Sequence, residues 1–337
     1  MIAFLLATSV AITVTLTPLS SGTRVRLQAV SAAGNDIVWA SGLDGTFVRS
    51  LDGGKTWRAH VVEGAAELQF RDVHAVDADT AYLLSAGPGK ASRIYETADG
   101  GRSWSLQFVN DDPDAFFDCM DFWDESHGLA YSDSLDEAMV VARTSDGEHW
   151  ARIPADALPP PLPGEGGFAA SGTCVTTLGE STAFVAMGAG SSRVLRTLDG
   201  GETWDVFETP VPARNETSGL TSVVFRSADD GAAAGGDIGA PDTYADNIAL
   251  TEDGGESWWL VAGPTFPGAV YAIAYIPGAP VATLVAVGPG GASYSTDDGG
   301  SWASIADDSY WSLAFTPSGI GFLVGPDGRL ARLDFDF

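Results

Sequence analysis

The side chains best suited to chemistry in this chain are carboxylates in an otherwise apolar stretch. Asp118 and Asp121 stand three positions apart within residues 116–123, and Asp133 follows in the next predicted loop. Two carboxylates about 5–10 Å apart can act as acid, base or nucleophile in glycoside hydrolysis. If the protein is a hydrolase, the sequence predicts Asp118, Asp133 and Glu165 as its catalytic residues.

A second set of polar and aromatic residues suits ligand binding without catalysis. Arg193 can hold a carboxylate through two parallel hydrogen bonds. The alternative is that Arg193 only neutralises Asp118 or Asp133, because structural ion pairs are common. The predicted ligand-binding residues are Asp118, Asp121, Asp133, Glu165, Phe168, Arg193, Asp237, Tyr244 and Asn247.

Other chemistries find little support in the sequence. A sialidase needs three converging arginines, but only Arg193 is expected to reach the candidate face, and Arg71, at the start of an inner strand, has no counterpart in later blades. No glycine-rich loop lies between a predicted strand and helix, so we expect no nucleotide cofactor. No metal-ligand spacing is present among Cys119, Cys174 and the four histidines, so we expect no metal. The sequence does not decide whether Cys119 and Cys174 form a disulfide.

The element that must position these residues is a repeated phrase, Ser/Thr-x-Asp-x-Gly-x-Thr/Ser-Trp, which recurs every 44 to 54 residues. Such a period indicates one unit built repeatedly. Each aspartate is predicted to accept hydrogen bonds within a turn, each glycine to take a positive φ, and each tryptophan to pack between units. One carboxylate per turn is too few for calcium, so these aspartates are predicted to be structural. They are Asp52, Asp99, Asp146, Asp199, Asp253 and Asp297.

Each repeat reads as four strands, which predicts an all-β fold, a seven-bladed β-propeller of four-stranded antiparallel blades. The last repeat supplies three strands, and the alternating residues 10–17 are predicted to complete it from the N-terminus. We therefore expect a single domain over residues 1–337. Residues 1–9 also resemble the remnant of a signal segment, which favours an extracytoplasmic, periplasmic or secreted protein.

Strand alternation assigns the loops to two faces. Turns between first and second strands share one face with the Asp phrases, and these turns are short. Loops between second and third strands share the opposite face with the links between blades, and they are longer from the second to the fifth blade. We call this the loop-rich face and predict that it carries the binding site.

The net charge of −28, from 17 basic and 45 acidic residues, limits the partners. Such a surface repels nucleic acid and anionic lipid. We expect no nucleic-acid partner, no direct membrane insertion and a monomer.

The sequence also resembles a known group. The array of Asp phrases, residues 20–23 and 27–30, and closure by an N-terminal strand look like the photosystem II stability/assembly factor-like family of BNR, or Asp-box, propellers. Residues 118–133 and 164–173 resemble a bacterial, non-photosynthetic subgroup. The resemblance covers nearly the whole chain and implies a non-catalytic, exported propeller that binds a protein partner.

The sequence therefore favours a non-catalytic binding or assembly propeller, which recognises a protein, peptide or small polar ligand on the loop-rich face. The alternative is a glycoside hydrolase, sialidase-like or other, or a carbohydrate-binding propeller. We expect Asp199→Ala to cost about 1–2 kcal/mol of stability without affecting binding. We expect Arg193→Ala to impair binding and spare stability.

Overall fold

The computed structural model describes residues 12–135 and 138–337, and its strands form seven sheets of four. Every strand pair within these sheets is antiparallel, and the sheets follow one another along the chain. The predicted seven-bladed β-propeller is confirmed. The 3-10 segments Gly89–Ala91, Ala155–Ala157 and Pro326–Gly328 are the helical elements in the part of the chain described.

The blades are numbered in chain order from the first complete repeat. Blade 1 comprises β2 (Leu27–Ala33), β3 (Ile37–Gly42), β4 (Thr46–Ser50) and β5 (Arg58–Val61). Blade 2 comprises β6 (Phe70–Ala75), β7 (Ala81–Ser85), β8 (Arg93–Thr97) and β9 (Ser105–Val109). Blade 3 comprises β10 (Phe117–Phe122), β11 (Gly128–Leu135), β12 (Ala138–Thr144) and β13 (Trp150–Arg152).

The next three blades repeat the same order. Blade 4 comprises β14 (Val175–Leu178), β15 (Thr182–Met187), β16 (Arg193–Thr197) and β17 (Asp205–Glu208). Blade 5 comprises β18 (Ser218–Phe225), β19 (Gly231–Asp237), β20 (Ile248–Thr251) and β21 (Trp259–Leu260). Blade 6 comprises β22 (Ala272–Tyr275), β23 (Leu284–Gly288), β24 (Gly291–Ser295) and β25 (Ala303–Ala306).

Blade 7 joins the two ends of the chain. It comprises β26 (Ser312–Phe315), β27 (Gly321–Val324), β28 (Arg329–Asp336) and, as its outer strand, β1 (Thr13–Ser20). The register runs from Thr13 opposite Asp336 to Ser20 opposite Arg329, so the predicted N-terminal closure is confirmed. Residues 10 and 11 of the predicted strand, and the predicted signal remnant 1–9, lie outside the described residues.

The Asp-phrase turns have the hydrogen bonds expected from their residues. In blade 1, Asp52 Oδ1 accepts from Thr56 N at 2.8 Å, and its Oδ2 accepts from Thr56 Oγ1 at 2.7 Å. These bonds, with that from Ser50, lower the pKa of Asp52 to about 2. Gly54 has a φ of +81°, and a β-carbon there would lie 2.2 Å from the Phe322 ring. The phrase is therefore a rigid turn element, as predicted.

Packing between the blades uses the phrase tryptophans in part. Trp57 of blade 1 meets Phe322 of blade 7 edge-on, with ring centroids 5.7 Å apart. Trp150 instead packs on Phe122 of its own blade, at 5.6 Å. In the shortened phrase at Asp146, His149 Nδ1 lies 2.9 Å from Asp146 Oδ2 and takes the place of the missing hydroxyl.

Three features depart from, or add to, the sequence expectation. Asp133, which the sequence placed in a loop, lies on a strand, because β11 runs to Leu135 and pairs there with Ala138. Cys119 and Cys174 are joined in a disulfide between the inner edges of blades 3 and 4, with their Cα atoms 5.9 Å apart. Within residues 12–135 and 138–337, no helix has the length and apolar character needed to cross a bilayer.

Candidate functional site on the loop-rich face

Two of the predicted carboxylates lie together beneath a glycine-rich segment. Asp118, on β10, is buried, and its Oδ2 has no hydrogen-bond partner; Asp133, on β11, accepts from Gly167 N at 2.8 Å. A β-carbon on Gly167 would lie 2.7 Å from Asp118 Oδ2, so glycine lets the backbone approach the acids closely. Burial, followed by the charge of Asp133, raises the pKa of Asp118 well above its ordinary value of 3.8, and burial raises that of Asp133.

Glu165 and Arg193 form a separate buried ion pair. Arg193 Nε donates to Glu165 Oε1 at 2.8 Å, and Nη2 bonds Oε2, so the pairing is bidentate. Glu165 is 2% exposed and Arg193 is 8% exposed. Burial opposes the charge on Arg193, but the hydrogen bonds and charge of Glu165 offset this and raise the pKa of Arg193. Leu162 N also donates to Glu165 Oε2 at 2.9 Å, which ties the pair to the link between blades 3 and 4.

This pairing changes how the predicted site is understood. The sequence offered Arg193 as a ligand donor or as the partner of Asp118 or Asp133; its partner is Glu165. Arg193 is committed to Glu165 through Nε and Nη2, and both oxygens of Glu165 are occupied. The three predicted hydrolase carboxylates therefore do not form an open acid pair across a funnel.

The link between blades 3 and 4 then crosses the channel of the propeller. We call residues 168–173 the channel plug. Ser171 Oγ donates to the carbonyl of Tyr271 in the link to blade 6 at 2.6 Å, and Ser312 Oγ of blade 7 donates to the Ser171 carbonyl at 2.8 Å. On the other side, a β-carbon on Gly172 would lie 2.3 Å from Asp72 Oδ1 of blade 2. Because the plug contacts inner strands around the ring, it separates the two mouths of the channel.

Asp121 lies beyond the plug, on the side of the Asp phrases. There it lines a vestibule of about 370 Å³, to which each of the seven innermost strands contributes two or three residues. Asp121 Oδ1 lies 2.9 Å from His74 Nδ1, while Oδ2 accepts from Thr177 N at 2.8 Å. The structure therefore places Asp121 away from the loop-rich face and commits its oxygens to neighbouring blades.

Asp237, Tyr244 and Asn247 do meet on the loop-rich face, around a pocket of about 320 Å³ in blade 5. We call it the Tyr244 pocket. Tyr244 is 67% exposed, whereas Asn247 is 1% exposed. Asn247 Nδ2 donates to the Gly268 carbonyl at 3.2 Å, but Oδ1 is buried without a partner. A buried acceptor left unsatisfied beside an open pocket is a group that a ligand or an ordered water can satisfy.

The walls of the Tyr244 pocket are set by short hydrogen bonds. Asp237 Oδ1 accepts from Thr217 Oγ1 at 2.6 Å, and Oδ2 accepts from Asn215 Nδ2 at 3.0 Å; these bonds lower the pKa of Asp237. Arg214 also lines the pocket, is exposed, and has no ion pair with any described carboxylate. The pocket thus offers an aromatic face, a free cation and a fixed anion.

The predicted aromatic residue Phe168 is less accessible. It packs so closely on Gly188 that a β-carbon there would lie 2.4 Å from its ring. Trp123, which follows β10, is tied by its indole N–H to the Thr182 carbonyl. Tyr244 is therefore the predicted aromatic residue that stands free on this face.

A cluster at the channel mouth on the loop-rich side was missed from the sequence. The Arg26 guanidinium lies over the Trp311 ring, 4.2 Å from its centroid, and Trp311 meets Tyr271 edge-on at 5.1 Å. Arg71 Nη1 reaches the Ala169 carbonyl of the plug at 3.2 Å. Burial lowers the pKa of both arginines; the charge of Arg26 lowers the pKa of Arg71 further, and Asp118 opposes this. The sequence contained a signal for this cluster, because all of these residues stand at the start of an innermost strand. Closure of the ring makes their blades neighbours.

No group of three or more histidine, cysteine, aspartate or glutamate side chains in the described ranges is arranged to hold a metal ion. The Asp-phrase carboxylates are occupied by their own turns, as Asp199 shows: its Oδ1 accepts from Thr203 N at 2.9 Å, and its Oδ2 from Thr203 Oγ1 at 2.6 Å.

Comparison with known proteins identifies the fold. No family model matches the chain, and no curated protein matches it. Among solved structures, it is similar to YCF48 bound to a D1 peptide, with 16% identity, a TM-score of 0.66 and 94% of each chain covered. It is also similar to YCF48 from Cyanidioschyzon merolae, with 16% identity, a TM-score of 0.65, and 95% of this chain and 98% of that one covered. The WD40 propeller domain of Doa1 matches with 14% identity, a TM-score of 0.64, and 95% and 97% covered.

Proposed function

We propose that this protein is a non-catalytic propeller that binds a peptide segment of a partner protein on its loop-rich face. The single observation that carries the proposal is the Tyr244 pocket. It combines an exposed aromatic ring with a buried, unsatisfied acceptor, on the face where the insertions collect. Aromatic anchors beside desolvated polar groups are typical of interface hot spots.

The positions of the predicted hydrolase carboxylates favour a binding protein over an enzyme. The plug covers Asp118, and Glu165 is paired with Arg193, so the predicted hydrolase carboxylates lack a shared open space. Among proteins of this fold, YCF48 has been seen with a bound peptide. We extend that mode of recognition to this chain, as an Asp-box propeller of a bacterial, non-photosynthetic subgroup.

We further propose that the protein acts outside the cytoplasm, as a monomer. The disulfide between Cys119 and Cys174 supports this location, because such bonds persist in oxidising compartments.

The experiment starts from peptides selected on the immobilised protein from a random display library. Their affinity is measured by calorimetry for the wild type, Tyr244→Ala and Asn247→Ala. We expect Tyr244→Ala to weaken binding roughly 10- to 100-fold, as for an interface anchor. Trp259→Ala is the matched control, since Trp259 is also an exposed aromatic residue but lies on the outer strand β21.

Two results would contradict the proposal. One is selected peptides whose affinity is unchanged by both pocket variants. The other is a glycan array on which the protein binds or cleaves sugars while no peptide is selected, which would favour the carbohydrate alternative.

A further inference from the structure

A second surface with an unusual charge lies on the side of the ring, between blades 1 and 2. It is a groove of about 710 Å³ between the outer strands of blade 1 and the Asp-phrase turn of blade 2. We call it the side groove. Its charged lining is dominated by cations: Arg49, Arg58, His60 and Arg102, with Glu63 as the acid among its lining residues.

The concentration of positive charge is unexpected in this chain. The sequence has 17 basic residues against 45 acidic ones, and three of the 17 converge on this groove: Arg49 and Arg58 from the β4–β5 pair of blade 1, and Arg102 from blade 2. Elsewhere in the described ranges, seven arginines form ion pairs with carboxylates, whereas Arg49, Arg58 and Arg102 have no carboxylate within ion-pair distance. The groove thus carries an excess of positive charge on an acidic protein.

The cations are close enough to oppose one another. Burial, which Asp79 partly offsets, lowers the pKa of Arg49, and the charges of Arg102 and Arg58 lower it further. Burial lowers the pKa of His60, and the charges of Arg49 and Arg58 lower it further. Asp79 and Asp99 act in the opposite direction on Arg49, but neither forms an ion pair with it, and an anion in the groove would relieve the remaining repulsion between the cations.

Arg49 is held in place for such an anion. Its guanidinium lies over the Trp39 ring at 5.1 Å from the centroid, and Nη1 donates to the Ala78 carbonyl at 2.8 Å. The turn of blade 2 fits against it, since a β-carbon on Gly100 would lie 2.4 Å from Nη1. Arg58 and Arg102 are exposed and stand on the two sides of the groove. One arginine is therefore preorganised, and two are free to close on a ligand.

We propose that the side groove binds a short acidic segment of a partner protein. Arginine forks pair with carboxylates in two parallel hydrogen bonds, and three of them match a segment with several aspartates or glutamates. The surrounding charge of −28 opposes a long polyanion such as a nucleic acid, whose phosphates would extend beyond the groove. A short segment confines its charge to the basic lining. This site is separate from the Tyr244 pocket and does not depend on it.

The test uses fluorescein-labelled peptides and anisotropy titrations. The probe is an acetylated heptapeptide with four consecutive glutamates and aspartates, and the control peptide has glutamine and asparagine at those positions. We expect the acidic peptide to bind at low salt and to weaken as salt rises, because charged contacts are screened. The neutral peptide should not bind.

The variant Arg58→Gln/Arg102→Gln should reduce the affinity for the acidic peptide at least tenfold. Arg24→Gln/Lys90→Gln is the matched control, with the same charge change on exposed residues outside the groove. Equal weakening by both pairs, or no binding by the wild type at low salt, would overturn the proposal. Stronger binding of a 12-nucleotide single-stranded DNA than of the peptide, lost with Arg58→Gln/Arg102→Gln, would overturn the assignment to a protein segment. Tyr244→Ala should leave the acidic peptide unaffected, which separates this test from that of the loop-rich face.

Discussion

Arg193 donates from Nε to Oε1 of Glu165 at 2.8 Å, and both side chains are shielded from solvent. The pair fastens the link between blades 3 and 4 to the inner end of β16. This link continues into the channel plug, so the ion pair fixes the position at which the chain enters the plug. We therefore expect loss of the ion pair to reduce stability more than it reduces ligand binding.

We expect Arg193→Ala to destabilise the protein by about 3–5 kcal/mol, because it leaves Glu165 buried without a partner. This reverses the expectation drawn from the sequence, in which Arg193→Ala spared stability. Urea denaturation of the variant gives the measurement. Arg193→Leu/Glu165→Leu should recover much of the loss, since it removes both charges; a single variant as stable as the wild type would refute the role assigned to the pair.

Asp118→Asn should stabilise the protein at neutral pH and not at acidic pH. The pKa of Asp118 is raised in the folded state by burial and by Asp133, above an ordinary value of 3.8. As the pH rises through that value, the unfolded chain releases this proton while the folded protein retains it, so folding becomes less favourable. Asparagine does not titrate and escapes this cost.

The measurement is the melting temperature of both proteins between pH 3 and pH 8. The difference between Asp118→Asn and the wild type should grow with pH above roughly 4, because that is where the unfolded carboxyl ionises. A difference that is constant across this range would show that the buried carboxyl carries no such cost.

Asp199→Ala should lower the free energy of unfolding by about 1 kcal/mol. It removes the acceptors for Thr203 N and Thr203 Oγ1, but the carboxylate is exposed, so each bond contributes modestly. Asp242→Ala is the control, with the same charge change at an exposed loop position. Thermal melts of the two variants should differ, and peptide binding should be intact in both.

Breaking the Cys119–Cys174 disulfide should reduce stability by about 2–4 kcal/mol, as is typical for a bond that closes a loop of this size. The bond spans 55 residues and joins the inner edges of blades 3 and 4. Melting of the wild type with and without dithiothreitol, beside Cys119→Ala/Cys174→Ala, measures the effect. Alkylation of both thiols in unfolded, unreduced protein would contradict the bond.

The sequence predicted the ring well, because its signals are local and repeated. The Asp phrase specifies a turn by its own side chains, as Asp52 and Thr56 do, and the alternation in β1 specifies a strand. The regular spacing of the repeated phrases is enough to give the number of blades. The fourth strand of blade 7 followed from the need to cover an open edge.

The site was harder to predict, because it depends on contacts far apart in sequence. The sequence offered Asp118 or Asp133 as the partner of Arg193, whereas the actual partner, Glu165, lies on a link without strand periodicity whose path the sequence does not reveal. The side groove is less visible still. Arg49 and Arg58 lie opposite each other on β4 and β5, and Arg102 joins them only when blade 2 packs on blade 1.

The antiparallel closure of blade 7 also determines how the ring would respond to a mechanical pull. Thr13 lies opposite Asp336 at the same end of the β1–β28 pair, so tension between these two residues would part the strands one hydrogen-bonded pair at a time. Peeling of this kind meets much less resistance than sliding all eight pairs at once. The β1–β28 pair is therefore the place at which tension on its two end residues would open the ring.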